Sequence, residues 1–296
     1  MYHKPVLLQT SVEGLVHKSD GVYVDLTFGG GGHSAEILKC LKGGRLFAFD
    51  QDQDAAANAE GMDLTFVQAN FRYLARYLRL YGISQVDGIL ADLGVSSHQF
   101  DVAERGFSTR FEARLDMRMD RDAGLTAAEV VNTYPAEVLH RVLGMYGEVK
   151  NAKTLAQAIV SARTNRPLQS VEALREVLRK YAPKGREAKY YAQVFQALRI
   201  EVNDELGALE DMLQQSVDVL APGGRLVVLS YHSLEDRLVK NMINKGNLQG
   251  EVHKDFYGNP QLPLRPVNRK PLLPSEEEVR ENSRARSAKL RIAEKI

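Results

Sequence analysis

The chain has no tryptophan and a single cysteine, Cys40, among 296 residues. An internal disulfide is excluded, and Cys40 has no histidine or second cysteine at metal-ligand spacing. Its position on the apolar side of a helix expected at 35–41 reads as core packing. No apolar run approaches the ~18 residues that a membrane span requires. Residues 1–6, with His3, Lys4 and Pro5, lack the charged-then-apolar layout of a secretory signal. A cytoplasmic location without membrane contact is expected. An excess of one charge is also missing, since 39 Lys and Arg against 38 Asp and Glu leave a formal net charge of +1. That balance conceals a basic segment. Within residues 147–190, ten Lys or Arg stand against four Glu, so the stretch carries +6. A phosphate backbone would be drawn to it, and a solvated helix face would look the same.

Residues 22–26 read as a short buried strand that runs into four consecutive glycines, Gly29 to Gly32. A helix at 35–41 and a second apolar strand at 46–50 follow, the latter ending on Asp50. Glycine permits a tight turn and a ligand's close approach to the main chain, while an acid ending the second strand can accept both ribose hydroxyls. This is the front half of a nucleoside-cofactor site. Because Gly30-x-Gly32-x-x-Ala35 fits the relaxed dinucleotide fingerprint, NAD suits these residues as well as S-adenosylmethionine does.

The alternation continues with a helix at 53–60, a strand at 64–68, a helix at 73–81 and a buried strand at 88–93, the rhythm of a parallel sheet covered on both faces. From 126 to 199 the pattern is helical, at 127–132, 136–144, 154–164, 171–181 and 190–199, with Pro135, Pro167 and Pro183 at the junctions. A long helix at 201–220 leads through Ala221-Pro222-Gly223-Gly224 into a strand at 225–230. Residues 254–274 read as a long polar loop and 288–293 as a final strand. The expected fold is α/β, a mostly parallel sheet formed by 1–106 and 200–296 and interrupted by an all-helical insertion at 107–199.

Ligands of open parallel sheets bind beyond the carboxyl ends of the strands, near the point where strand order reverses. Asp92 follows the fourth strand there, facing cofactor and substrate. Tyr231 and His232 follow the strand at 225–230 and are expected to line the pocket, with Ser233, Glu235 and Asp236 starting the next helix. No Gly-x-Ser-x-Gly elbow accompanies the Ser-Tyr-His-Ser run, so a hydrolase triad is set aside. Ser96 and Ser97 suit turn backbone. Phe71 fits either the core or a wall against an adenine ring, and Phe28 suits a place beneath the glycine loop. His33 has no partners at metal spacing.

Taken together, Thr27-Phe28-Gly29-Gly30-Gly31-Gly32-His33-Ser34, Asp92-Leu93-Gly94-Val95-Ser96-Ser97, Arg105-Gly106-Phe107-Ser108, Leu115-Asp116-Met117-Arg118-Met119-Asp120, Phe195-Gln196-Ala197-Leu198-Arg199-Ile200, Ala221-Pro222-Gly223-Gly224-Arg225-Leu226, His232-Ser233-Leu234-Glu235-Asp236-Arg237 and Arg284-Ala285-Arg286-Ser287 resemble the bacterial ribosomal small-subunit RNA methyltransferase H family. The resemblance covers almost the whole chain. It implies a Rossmann-like S-adenosylmethionine-dependent methyltransferase sheet with a helical insertion, no metal, S-adenosylhomocysteine as product, and methylation at N4 of one cytidine of 16S ribosomal RNA in the small subunit. The family's cofactor contacts fall on Gly31, Gly32, His33, Asp50, Phe71, Asp92 and Gln99. Asp92, Tyr231 and His232 become the catalytic candidates, and the basic segment becomes an RNA contact. Two departures stand out: His98 where the family often has proline, which bears on the loop holding Gln99, and Ser283 where proline often precedes Arg-Ala-Arg. An NAD-dependent oxidoreductase and a non-catalytic RNA-binding or assembly module are the competing expectations; the oligomeric state is not legible.

Overall fold

A computed structural model describes residues 5–296. In chain order it contains α1 (Leu8–Leu15), β1 (Val22–Asp25), α2 (Gly32–Cys40), β2 (Arg45–Asp50), β3 (Thr65–Gln68), α3 (Leu74–Leu80) and β4 (Val86–Asp92). Six helices follow: α4 (Ser97–Asp101), α5 (Ala127–Thr133), α6 (Ala136–Met145), α7 (Ala152–Asn165), α8 (Val171–Arg179) and α9 (Glu187–Asn203). The chain ends with α10 (Glu205–Val219), β5 (Leu220–Ser230), α11 (Ser233–Lys245), β6 (Leu264–Pro266), α12 (Glu276–Glu281) and β7 (Lys289–Lys295). Among the described residues no helix is long and apolar enough to cross a membrane.

Two compact units emerge among the described residues, one of 5–94 with 206–296 and one of 95–205. The helical unit therefore begins at Val95 and ends at Glu205, where the sequence reading has 107 and 199. The first unit is a Rossmann-like seven-stranded sheet in the order β3-β2-β1-β4-β5-β7-β6. The first five of these strands run parallel, and β7 is antiparallel to both neighbours. Successive side chains in a strand point to opposite faces, so a strand covered on both sides reads as an unbroken apolar run. Val24, Ile89, Ala91, Leu226 and Val228 pack on one face, whereas Tyr23, Leu90, Val227 and Leu229 pack on the other. Pairing of Asp25 with Leu90 and of Asp92 with Leu229 sets the carboxyl ends of β1, β4 and β5 side by side.

The helical unit has its own core, with Leu115, Val130, Leu139, Leu155, Ile159, Leu174 and Leu198 fully buried. Helices α5 and α8 begin with Thr126 and Ser170 as caps, each accepting a hydrogen bond from the backbone three residues on. Most expected helices are present within a few residues of their bounds.

Four expectations are corrected. The helix expected at 201–220 is broken: α9 continues to Asn203, Asp204 adopts a left-handed φ of 46°, and α10 starts at Glu205. Aspartate tolerates that conformation better than most residues. Residues 53–59 form a 3₁₀ helix in place of an α-helix. Inside the expected loop at 254–274 lies β6, which ends on proline and pairs only with β7, as an edge strand permits. Finally, Cys40 is exposed, because α2 ends there after burying His33, Ser34 and Ile37.

Candidate active site at the strand ends

The turn after β1 is tied down at every step. Phe28 N donates to Phe49 O at 2.9 Å and Leu26 N to Leu90 O at 2.8 Å, fixing the loop's root to both neighbouring strands. Gly29 N donates to Oδ2 of Asp50 at 2.7 Å, and Gly29 O accepts from Asn58 Nδ2 at 2.9 Å. Gly31 then caps α2 with φ 76°, and a Cβ there would lie 2.9 Å from the Phe28 ring. Glycine is required at Gly31 by both backbone and space. Phe28 is buried beneath the loop as expected, edge-on to Phe66.

Behind the loop sits Asp25, wholly buried at the end of β1. Its carboxylate accepts from Ser34 Oγ at 2.7 Å and from Thr27 N at 3.1 Å. Burial raises its pKa, against the opposing pull of His33 and these donors. Thr27 reaches across in turn, its Oγ1 accepting from Asp92 N at 2.7 Å. The ends of β1 and β4 are thereby linked through a single side chain.

Asp92 is the meeting point. The Tyr231 hydroxyl donates to Oδ1 at 2.7 Å, and His33 Nδ1 stands 3.8 Å from Oδ2. Burial raises the Asp92 pKa, opposed by His33 and the Tyr231 hydrogen bond and reinforced by Asp25 and Glu235. The Tyr231 phenol is pushed well above 10, by burial first and then by the Asp92 charge. His33 itself is buried, with Nε2 3.3 Å from Val6 O. Asp50, which accepts from Gly29 N and from Asp52 N at 2.8 Å, has its pKa raised by burial to about 6.

Of the residues picked out from the sequence, Gly31, His33, Asp50, Asp92 and Tyr231 converge on these strand ends through the contacts above, and Gly32 opens α2 beside them. Phe71 begins a 3₁₀ turn capped by Asn70 and packs, half-buried, against the sheet core. His232 is the cap of α11: its Nδ1 accepts from Glu235 N at 3.4 Å, a place the sequence reading gives to Ser233. Gln99 belongs to the helical unit and closes a capping box, its Oε1 accepting from Ser96 N at 3.0 Å.

Sequence reasoning missed Asp25, Thr27, Ser34 and Glu235. Glu235 is buried, and its Oε2 accepts from Tyr231 N at 2.8 Å, holding the loop that presents Tyr231. The available signal was an acid closing an apolar strand immediately before a glycine loop, with a serine in the next helix's first turn.

What an arrangement of this kind can do is hold a phosphate-free ligand against main chain and accept a proton at a half-buried carboxylate. A family model described as the MraW methylase family matches residues 1–296. A protein of Cytophaga hutchinsonii named Ribosomal RNA small subunit methyltransferase H is 60% identical over 298 aligned residues, covering 100% of both chains. One of the same name from Flavobacterium johnsoniae is 57% identical over 100% of this chain and 98% of its own. A match that runs unbroken through sheet, glycine loop and helical unit alike leaves one conclusion: the chain belongs to the MraW methylase family.

Proposed function

We propose that the protein transfers a methyl group from S-adenosylmethionine to the exocyclic N4 of one cytidine in 16S ribosomal RNA of the small subunit. The observation that carries this reading is the Asp92 carboxylate, anchored by Tyr231 on one oxygen beside a glycine turn where a Cβ at Gly31 would crowd the Phe28 ring and one at Gly32 would crowd Pro5. The close main-chain approach at Gly31 and Gly32 suits the amino-acid end of the methyl donor, which has no phosphate to neutralise. Asp50, ending β2, keeps a second lone pair on each oxygen for ribose hydroxyls. Half-buried Phe71 offers its remaining face to adenine.

The methyl donor supplies an electrophilic carbon on a sulfonium whose charge disperses on transfer. The rest falls to the chain. The amine of cytosine is a poor nucleophile because its lone pair conjugates with the ring, so drawing a proton from it favours attack. Asp92 Oδ2, the oxygen that Tyr231 leaves available, is our acceptor: as the N–C bond forms and the S–C bond breaks, the N4 proton moves to this carboxylate. Its raised pKa makes it a better base than an ordinary aspartate. Tyr231, with its ring against the sheet core and its hydroxyl committed, orients Asp92. In-line alignment supplies most of the acceleration, on the order of 7 to 11 kcal/mol.

The helical unit supplies RNA affinity. Eight of the ten basic side chains in 147–190 are exposed, while Arg163 is spent on Val131 O and Tyr134 O, and Arg175 on Glu172. The test mixes the protein with labelled S-adenosylmethionine and small subunits lacking the modification, then maps the methylated nucleoside. Label on N4 of one cytidine supports the reading; label on another base atom, or none, overturns it.

A further inference from the structure

A hairpin between α11 and β6 ends in the two most exposed aromatic side chains among the described residues, Phe256 at 97% and Tyr257 at 85%. We propose that this hairpin is an RNA-docking element, in which Phe256 and Tyr257 stack on unpaired bases of the ribosomal RNA while Lys254 beside them, and the basic side chains that follow in the sequence, meet its phosphates. The inference rests on the reading of the protein as an rRNA methyltransferase.

The tip is a built turn. Lys254 pairs with Pro260 across it, Asp255 N donates to Asn259 O at 2.9 Å and Gly258 N to Asp255 O at 3.0 Å. The Asp255 carboxylate turns inward, accepting from Tyr257 N at 2.9 Å and from Asn259 N at 2.8 Å. Gly258 takes φ 87°, the left-handed conformation this turn requires. At the base, Asn247 Oδ1 accepts from Gly250 N at 2.8 Å and from Glu251 N at 3.2 Å, and Leu264 is fully buried in β6. Both rings are thus carried on an ordered stalk. Their centroids lie 5.7 Å apart at 87°, an edge-on pair that leaves ring faces open.

The surroundings select the occupant. Residues 253–270 contain four Lys or Arg against one Asp; Arg265 is spent on Glu294, and the aspartate is consumed by the turn. Lys254, Arg269 and Lys270 are exposed and form no ion pair among the described residues. A protein-binding hot spot needs an apolar, desolvated centre. Here the rings stand among Lys254, Asp255, Gly258 and Asn259. Aromatic faces on a basic, polar stalk are the means by which proteins hold single-stranded RNA.

The absence of tryptophan gives a direct probe. In the full chain, Tyr257→Trp installs the sole indole, and its fluorescence should be quenched saturably by unmodified small subunits and by a single-stranded oligoribonucleotide. It should not respond to S-adenosylmethionine, to anionic lipid vesicles or to raised protein concentration. The double variant Phe256→Ala/Tyr257→Ala should raise KM for subunits by about 10-fold or more, the scale of lost base stacking, with kcat and cofactor affinity unchanged. Phe256→Trp/Tyr257→Trp should preserve KM, and Phe256→Leu/Tyr257→Leu should lose it like alanine. Unchanged KM in the alanine pair, leucine working as well as tryptophan, or quenching by vesicles or by the protein itself would overturn the assignment. The quenching assay needs no methyl transfer. Quenching by RNA without rRNA methylation leaves the hairpin assignment standing and removes the enzyme reading; normal KM in the alanine pair does the reverse.

Discussion

The Tyr231 hydroxyl donates a 2.7 Å hydrogen bond to Oδ1 of Asp92, joining the first residue beyond β5 to the last residue of β4. Phenylalanine at 231 keeps the ring and removes only that bond. Losing a hydrogen bond to a charged group costs about 1.5 to 3 kcal/mol, so Tyr231→Phe should lower kcat by about 10- to 100-fold and leave S-adenosylmethionine affinity near normal. Single-turnover methylation and calorimetry read the two quantities separately. An unchanged kcat would remove Tyr231 from the mechanism.

Replacing the carboxylate itself tests the proton acceptor. Asp92→Asn keeps shape and hydrogen-bonding capacity but cannot take a proton from N4, and turnover should fall by at least ~100-fold. A folded Asp92→Asn variant with near-normal turnover would move the acceptor elsewhere.

Burial holds the Asp50 carboxyl at about 6, and in the proposed site the ribose hydroxyls would donate to its ionised form. Affinity for S-adenosylmethionine should be level above pH 7 and weaken below pH 6, approaching tenfold per pH unit. Stability of the ligand-free protein responds in the opposite sense. With the folded pKa above the unfolded one, the stabilising contribution of Asp50 is fully present below about pH 4 and lost as pH rises through about 6. Asp50→Asn should flatten the binding profile; a profile as steep as that of the parent protein would assign the titration to another group.

At Gly31 an alanine would be forced into left-handed backbone and against Phe28. Strain of about 1 to 3 kcal/mol is expected, read as a lower denaturation midpoint, together with weakened cofactor binding. Equal stability of Gly31→Ala would mean that the loop relaxes freely.

Lys180, Lys184 and Lys189 are exposed on the helical unit. Reversing all three to Glu should raise KM for the subunit and reduce the salt dependence of binding, with cofactor affinity intact. A KM that stays put would make this face ordinary solvated surface.

The sheet was legible because its strands are buried on both faces and therefore read as short apolar runs, Leu46 to Phe49 and Leu226 to Leu229 among them. The helices of the insertion were legible from their period and prolines. β6 was not, since Leu264-Arg265-Pro266 is defined by what it pairs with and carries no pattern of its own. The break at Asp204 was hidden for a similar reason: Asn203, which accepts from Met119 N at 2.7 Å and donates to Met117 O at 2.8 Å, commits the end of α9 to residues far away in sequence. At the site, Asp50 and Asp92 stood out as acids at strand ends. Asp25 did not, because its partners Ser34 and Thr27 meet it only once the loop has closed.

The sheet unit is discontinuous in sequence, and that governs its assembly during synthesis. β4 is complete at Asp92, yet its partner β5 begins only at Leu220, after the entire helical unit. At translation rates of about 5 to 20 residues per second, the edge of β4 waits roughly 6 to 25 seconds with its peptide groups unpaired. During that interval the nascent sheet holds only half of its central seam, and neither Tyr231 nor Glu235 exists to hold Asp92. On the proposed mechanism the site is complete only once the last third has emerged, so products truncated before β5 would carry the glycine loop without Tyr231 and Glu235.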